Sequence, residues 1–120
     1  MRSWVWQRLR SFGYAFRGLT VGWVGPNFRI QVAAGVTVLF LAGVYSVTRT
    51  DLGLLLVAIT IVLSAELANT SVERICDLVA DLHGIGFDAR IRDIKDLAAA
   101  AVLVAALGAA AIGVTVLVRA

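Results

Sequence analysis

Four side chains between residues 66 and 77 could do chemistry together. In AELANTSVERICD (65–77), Glu66, Asn69, Glu73 and Asp77 recur at three- and four-residue spacing. At ~100° per residue they fall, with Thr70, within roughly a 100° arc of one helix. Three carboxylates and an amide on one face repel each other unless cations or protons join them. Mg²⁺ and phosphate would supply that compensation, since Mg²⁺ takes carboxylate oxygens together with phosphates and water. A buried carboxylate on this face could also be a structural hydrogen-bonding group.

A second cluster follows in ARIRDIKDLAAAA (89–101). Arg90, Arg92 and Lys95 are cations suited to phosphate, and Asp93 and Asp96 are metal ligands or cation partners. The same residues would also serve as a basic anchor at a membrane surface. No G-x-x-x-x-G-K-[ST] loop occurs, and Gly84-Ile85-Gly86 is too short to cradle phosphates. A nucleotide would need a site built from helices. His83, the single histidine, reads as a solvated loop residue or a nucleotide contact. The single Cys76 cannot close an internal disulfide and reads as a small helix residue.

These groups are carried by a very apolar chain. Its 120 residues are 60% hydrophobic and 16% charged, with a mean hydropathy of +0.89. So small a chain has too much surface to hide that apolar area from water. Residues 30–47 and 97–118 are uncharged and long enough to span a bilayer, which takes ~20 apolar residues. A third run, 52–65, reaches that length only by continuing into the acidic stretch, giving a span over about 52–72. The expected fold is all-α, with three transmembrane helices.

An N-terminal helix over about 3–22 precedes them. Val5, Leu9, Phe12, Phe16 and Leu19 recur at helical spacing among arginines, with Trp4, Trp6 and Trp23 as interfacial aromatics. That pattern predicts an amphipathic helix on the membrane surface, and Gly25-Pro26 breaks the chain after it. Nine of the 11 basic residues lie before the first span or around the 78–95 loop, and only Arg49 and Arg119 lie on the other side. The N-terminus and that loop are therefore expected to be cytoplasmic and the C-terminus outside. The basic residues flank membrane segments and form no soluble patch, which argues against nucleic acid. Small residues along the third span, from Ala98 to Gly113, permit close helix approach, and an oligomer would help enclose the polar stripe.

The segments RSFGYAFRGL (10–19), NFRIQVAA (27–34), AELANTSVERICDLV (65–79) and IKDLAAAAVL (94–103) together resemble the prokaryotic diacylglycerol kinase family, which includes undecaprenol kinases. The resemblance implies one integral-membrane kinase domain over 1–120. It implies a homotrimer in the bacterial cytoplasmic membrane, with active sites shared between subunits. The implied reaction moves the γ-phosphoryl group of ATP, with Mg²⁺, to the hydroxyl of a membrane lipid alcohol. On matching positions, Glu66 would be the general base at the lipid hydroxyl and Glu73 the metal ligand. Asn69 and Asp77 would orient the cluster, and Tyr14, Lys95 and Asp96 would hold the nucleotide.

The chain departs from the family pattern at Gly25, where the family commonly carries a second metal-binding Glu, and in a 77–95 loop about four residues longer. Glycine at position 25 would also permit φ > 0. KDLAAA in place of K-D-M-G-S-A leans the reading toward undecaprenol over diacylglycerol. The rival reading is a non-catalytic cation-binding or small transport membrane protein that uses the same stripe.

Overall fold

The computed structural model describes residues 2–120; Met1 and the side chain of Arg2, one of the basic residues counted above, lie outside the described residues. Four helices follow in order: α1 (Arg2–Trp23), α2 (Pro26–Val44), α3 (Arg49–His83) and α4 (Ala89–Arg119). The last three are long and apolar enough to cross a membrane. The all-α architecture with three membrane helices and an N-terminal helix is as expected.

The helix boundaries differ from the apolar runs, for local reasons. α2 starts at Pro26, whose fixed φ suits the first helical position. It ends at Val44, before a turn in which Ser46 takes φ 52. α3 continues eleven residues past the expected end at 72, because the polar segment keeps good helix formers. It stops only where Gly84 takes the left-handed conformation, φ 60. α4 begins at Ala89, well before the uncharged run, because Asp88 caps it by accepting a hydrogen bond from the Arg90 N–H at 2.8 Å. The expected 78–95 loop is therefore reduced to residues 84–88, because polar turns extend both helices into it.

Gly25 has φ −72 and ψ 129, so it does not use the conformation reserved for glycine. The α1–α2 corner is held by other groups. Trp23 and Phe28 meet edge to face with ring centroids 6.3 Å apart. The Arg29 guanidinium donates to the Val24 carbonyl at 3.3 Å.

Among the glycines, the close approaches fall at Gly22 and Gly35. A Cβ at Gly22 would come within 2.5 Å of Leu67, and one at Gly35 within 3.0 Å of Ile59. These two positions bring α1 and α2 onto α3. Gly108 and Gly113 of α4 have no neighbour within 4 Å of a built Cβ, and on α4 only Val102 and Val116 are buried.

The chain is a slab of 54 × 47 × 20 Å with a radius of gyration of 18.1 Å. A compact domain of this length would have about 14 Å. Its buried apolar centre is small, formed by Ala42, Leu55 and Val116 with Val38, Val47 and Ile112 around them. Large apolar side chains such as Phe40, Val104, Leu107 and Val118 face outward. Lipid, or further copies of the chain, must cover these faces.

Candidate functional site

α3 sorts the stripe by depth. Glu66 is 4% exposed and Asn69 6%, the two buried polar residues among the described residues. Glu73 is half-buried and Asp77 exposed. One rigid helix thus carries the acidic groups from a sequestered position to an open one, about 1.5 Å per residue. Thr70, on the same face, donates its hydroxyl to the Glu66 carbonyl at 3.0 Å, which leaves the Glu66 carboxylate free of that contact.

Asn69 joins the two depths. Its Nδ2 donates to Glu73 Oε1 at 3.2 Å. Its Oδ1 is buried and has no hydrogen-bond partner in the chain. Asp77 is engaged elsewhere: it accepts a hydrogen bond from Lys95 Nζ at 2.7 Å, across from α3 to α4. That pair fixes the start of α4 against the acidic end of α3. Cys76 is buried beside it and, with Val72, Ile91 and Ile94, lines an apolar cavity of about 250 Å³ between the two helices.

The remaining candidates stand apart from this group. Asp96 is exposed and faces Arg92 at 4.0 Å. Tyr14 is 69% exposed on α1 and makes no side-chain hydrogen bond to the stripe. His83 Nδ1 lies 2.9 Å from the Val79 carbonyl, within its own helix. In the loop, the Arg90 guanidinium and backbone N–H beside Asp88 hold its carboxyl down at about 2, from 3.8. Arg92 lies over the ring of Phe87 at 6.0 Å. Arg90 and Arg92, in the first turn of α4, make local contacts, and Lys95 is the cation joined to the stripe.

The donor set suits a hydrated Mg²⁺. It offers carboxylate oxygens on Glu73 and an orphaned amide oxygen beside it. Among the described residues no three His, Cys, Asp or Glu side chains converge on one point. A cation here would take one or two protein carboxylates and complete its shell with water and phosphate, which is how Mg²⁺ is usually held.

Two features escaped the sequence reading. Gly22 gave no signal apart from a generic glycine, because its partner Leu67 is remote in sequence. The second is the ion pair of Arg119 with Asp51, which ties the far end of α4 to the first turn of α3. Asp51 at a helix start and Arg119 at a helix end were each legible, but their meeting was not.

A groove of about 340 Å³ runs between α2, α3 and α4, with Val38, Leu55, Val62 and Ala109 among its apolar walls and Gln31 at its edge. Val62 lies one helical turn from Glu66, so apolar space approaches the buried carboxylate from the membrane side.

No solved structure matches this chain. A curated relative from Synechocystis sp., named "Diacylglycerol kinase", is 32% identical over 118 residues, covering 94% of this chain. The chain spans 66% of the length of that relative. The family model for prokaryotic diacylglycerol kinase matches residues 13–117, a stretch that takes in the second half of α1, α2, α3 with the whole acidic stripe, and α4 but for its last turn: the chain belongs to the prokaryotic diacylglycerol kinase family.

Proposed function

We propose that this protein is a membrane lipid kinase that transfers the γ-phosphoryl group of ATP to the hydroxyl of a membrane lipid. The observation that carries this reading is the depth order on α3: Glu66 is buried beside apolar membrane space, and Glu73 is half-buried two turns nearer the polar end. A water-soluble donor and a lipid-soluble acceptor have to meet at such a boundary.

In this reading Glu66 accepts the proton of the lipid hydroxyl as the oxygen attacks the γ-phosphorus. Positioned proton transfer of this kind contributes about 10²–10⁴-fold. Glu73 holds a divalent cation, Mg²⁺ by its donor set. A bound cation supplies charge neutralisation at the phosphates. Asn69 holds Glu73 in place. Lys95, positioned by Asp77, places a positive charge near the nucleotide, with Asp96 and Tyr14 added where the nucleotide binds. The Arg92–Asp96 pair has to open for Asp96 to take that part. Burial of Glu66 keeps bulk water from competing with the lipid hydroxyl.

The chain forms one kinase domain and assembles as a homotrimer with sites shared between subunits. Supporting this are the flat shape, the outward small residues of α4 and the exposure of Tyr14, which makes no hydrogen bond to the stripe of its own chain. The N-terminus and the α3–α4 connection with the helix ends beside it face the cytoplasm, where ATP is available, and the C-terminus faces out. The acceptor is undecaprenol or diacylglycerol, with KDLAAA leaning toward undecaprenol.

Purified protein in detergent, supplied with labelled ATP and Mg²⁺, should phosphorylate one of undecaprenol, diacylglycerol and ceramide. No labelled lipid with any of them would leave cation binding without catalysis as the reading of the stripe. Mixing a Glu66→Gln chain with a Lys95→Met chain should restore activity if sites are shared between subunits.

A further inference from the structure

Asn69 is only half used by the chemistry above. Its Nδ2 is committed to Glu73, yet its Oδ1 is buried without a donor. Buried acceptors in native proteins are almost always satisfied, so an orphan points to a donor that the chain does not supply. The nearest donors of the chain point elsewhere: the Thr70 hydroxyl goes to the Glu66 backbone and the Lys95 ammonium is held at Asp77. Glu73, which takes the Asn69 N–H, accepts only when ionised. A cation held by Glu73 brings donors of its own, its water ligands. Mg²⁺ keeps several waters when it binds through one or two carboxylates, and each of them offers O–H groups at fixed positions.

We propose that Asn69 is a positioning residue for a hydrated divalent cation: Nδ2 fixes the Glu73 carboxylate that binds the cation, while Oδ1 accepts a hydrogen bond from a water of the cation's hydration shell. This rests on the reading of Glu73 as the cation carboxylate. The amide serves both sides of the coordination shell because its two polar atoms diverge. Groups that orient a metal carboxylate from outside the shell commonly tune affinity by about 10–100-fold.

The test measures Mn²⁺ binding without turnover. Purified full-length protein in detergent is titrated with Mn²⁺ in the absence of nucleotide, which would itself chelate the ion, and free Mn²⁺ is read by electron paramagnetic resonance. Wild type should bind Mn²⁺ and Glu73→Gln should not. Asn69→Leu removes both polar atoms and should weaken binding about 10–100-fold. Asn69→Asp keeps an acceptor oxygen and gives up the donor, so it should bind close to wild type or tighter. Wild-type affinity in the Leu variant, or an Asp variant as weak as Glu73→Gln, overturns the proposal. The Asp variant decides alone if the Leu variant does not fold. Lipid phosphorylation is assayed on the same samples. Mn²⁺ binding that follows this pattern without any phosphorylated lipid sinks the kinase reading and leaves this one standing. Active wild type with an unaffected Leu variant does the reverse.

Discussion

The two ends of the α3–α4 pair are closed in the same way and filled in opposite ways. At one end Asp51 meets Arg119; at the other Asp77 meets Lys95. Beneath the first pair lies the apolar cluster of Leu55, Ala42 and Val116. Beneath the second lie Glu66 and Asn69, buried although polar. Burying polar groups costs free energy unless every one is satisfied, and here one acceptor is not. The first end is built as a structure holds itself together, and the second as a site waits for a ligand.

The largest effect is expected at the polar end. Glu66→Gln keeps shape and burial but removes the proposed base. Turnover should fall about 10²–10⁴-fold, while thermal stability and nucleotide binding stay near wild type. Near-normal kinase activity in this variant would take Glu66 out of that part.

Leu55→Ala tests the apolar end. Leu55 is 1% exposed, and truncation of such a residue costs about 2–5 kcal/mol. The low end applies, because lipid tails are as apolar as leucine. Unfolding in mixed micelles should show the loss, with the KM for ATP unchanged in the protein that remains folded.

Asp51→Asn breaks the ion pair at the apolar end. A partly exposed pair of this kind contributes about 0–1 kcal/mol, so a small drop in thermal midpoint is expected. Activity measured well below that midpoint should not change. A large loss of turnover would mean that the far end reaches the site, and the contrast between the ends would fail.

Gly25→Glu asks whether the polar end lacks a cation ligand. Gly25 has negative φ, and a Cβ there would lie 3.4 Å from the Gly22 carbonyl oxygen. The turn therefore accepts a side chain. If position 25 faces the phosphates, the Mg²⁺ concentration for half-maximal activity should fall. A folded variant with unchanged Mg²⁺ dependence would show that the position points elsewhere.

The smallest effect concerns the loop that links the two helices at the polar end. Asp88 caps α4 with a carboxyl lowered to about 2 from 3.8. A lowered folded-state value means that its contribution is fully present above about 3.8 and is lost as pH falls toward 2. Acid unfolding of Asp88→Asn should accordingly lack part of the wild-type pH dependence in that window. Parallel curves for the two proteins would assign the cap no part in it.

The sequence by itself determined the membrane helices, the amphipathic start and the acidic stripe. These are periodic, local properties: an uncharged run of span length, or carboxylates three and four residues apart, has one reading on a helix. It also carried the family, since the motif spacing lies within single helices. The ends of the helices were less legible. Asp88 and Gly84 set the caps by backbone geometry, and the polar segments beyond each apolar run remained helical. Tertiary structure alone decided which charges remote in sequence meet. Asp77 pairs with Lys95 across 18 residues of chain and Asp51 with Arg119 across 68. It also decided that Gly22 and Gly35, and not the glycines of α4, take the close approaches. Nor could spacing separate Asn69 from Asp77: they share a helix face, but one is buried with an unmatched oxygen and the other is paired in the open. Burial depends on what packs opposite, and neighbours remote in sequence are what a one-dimensional pattern leaves out.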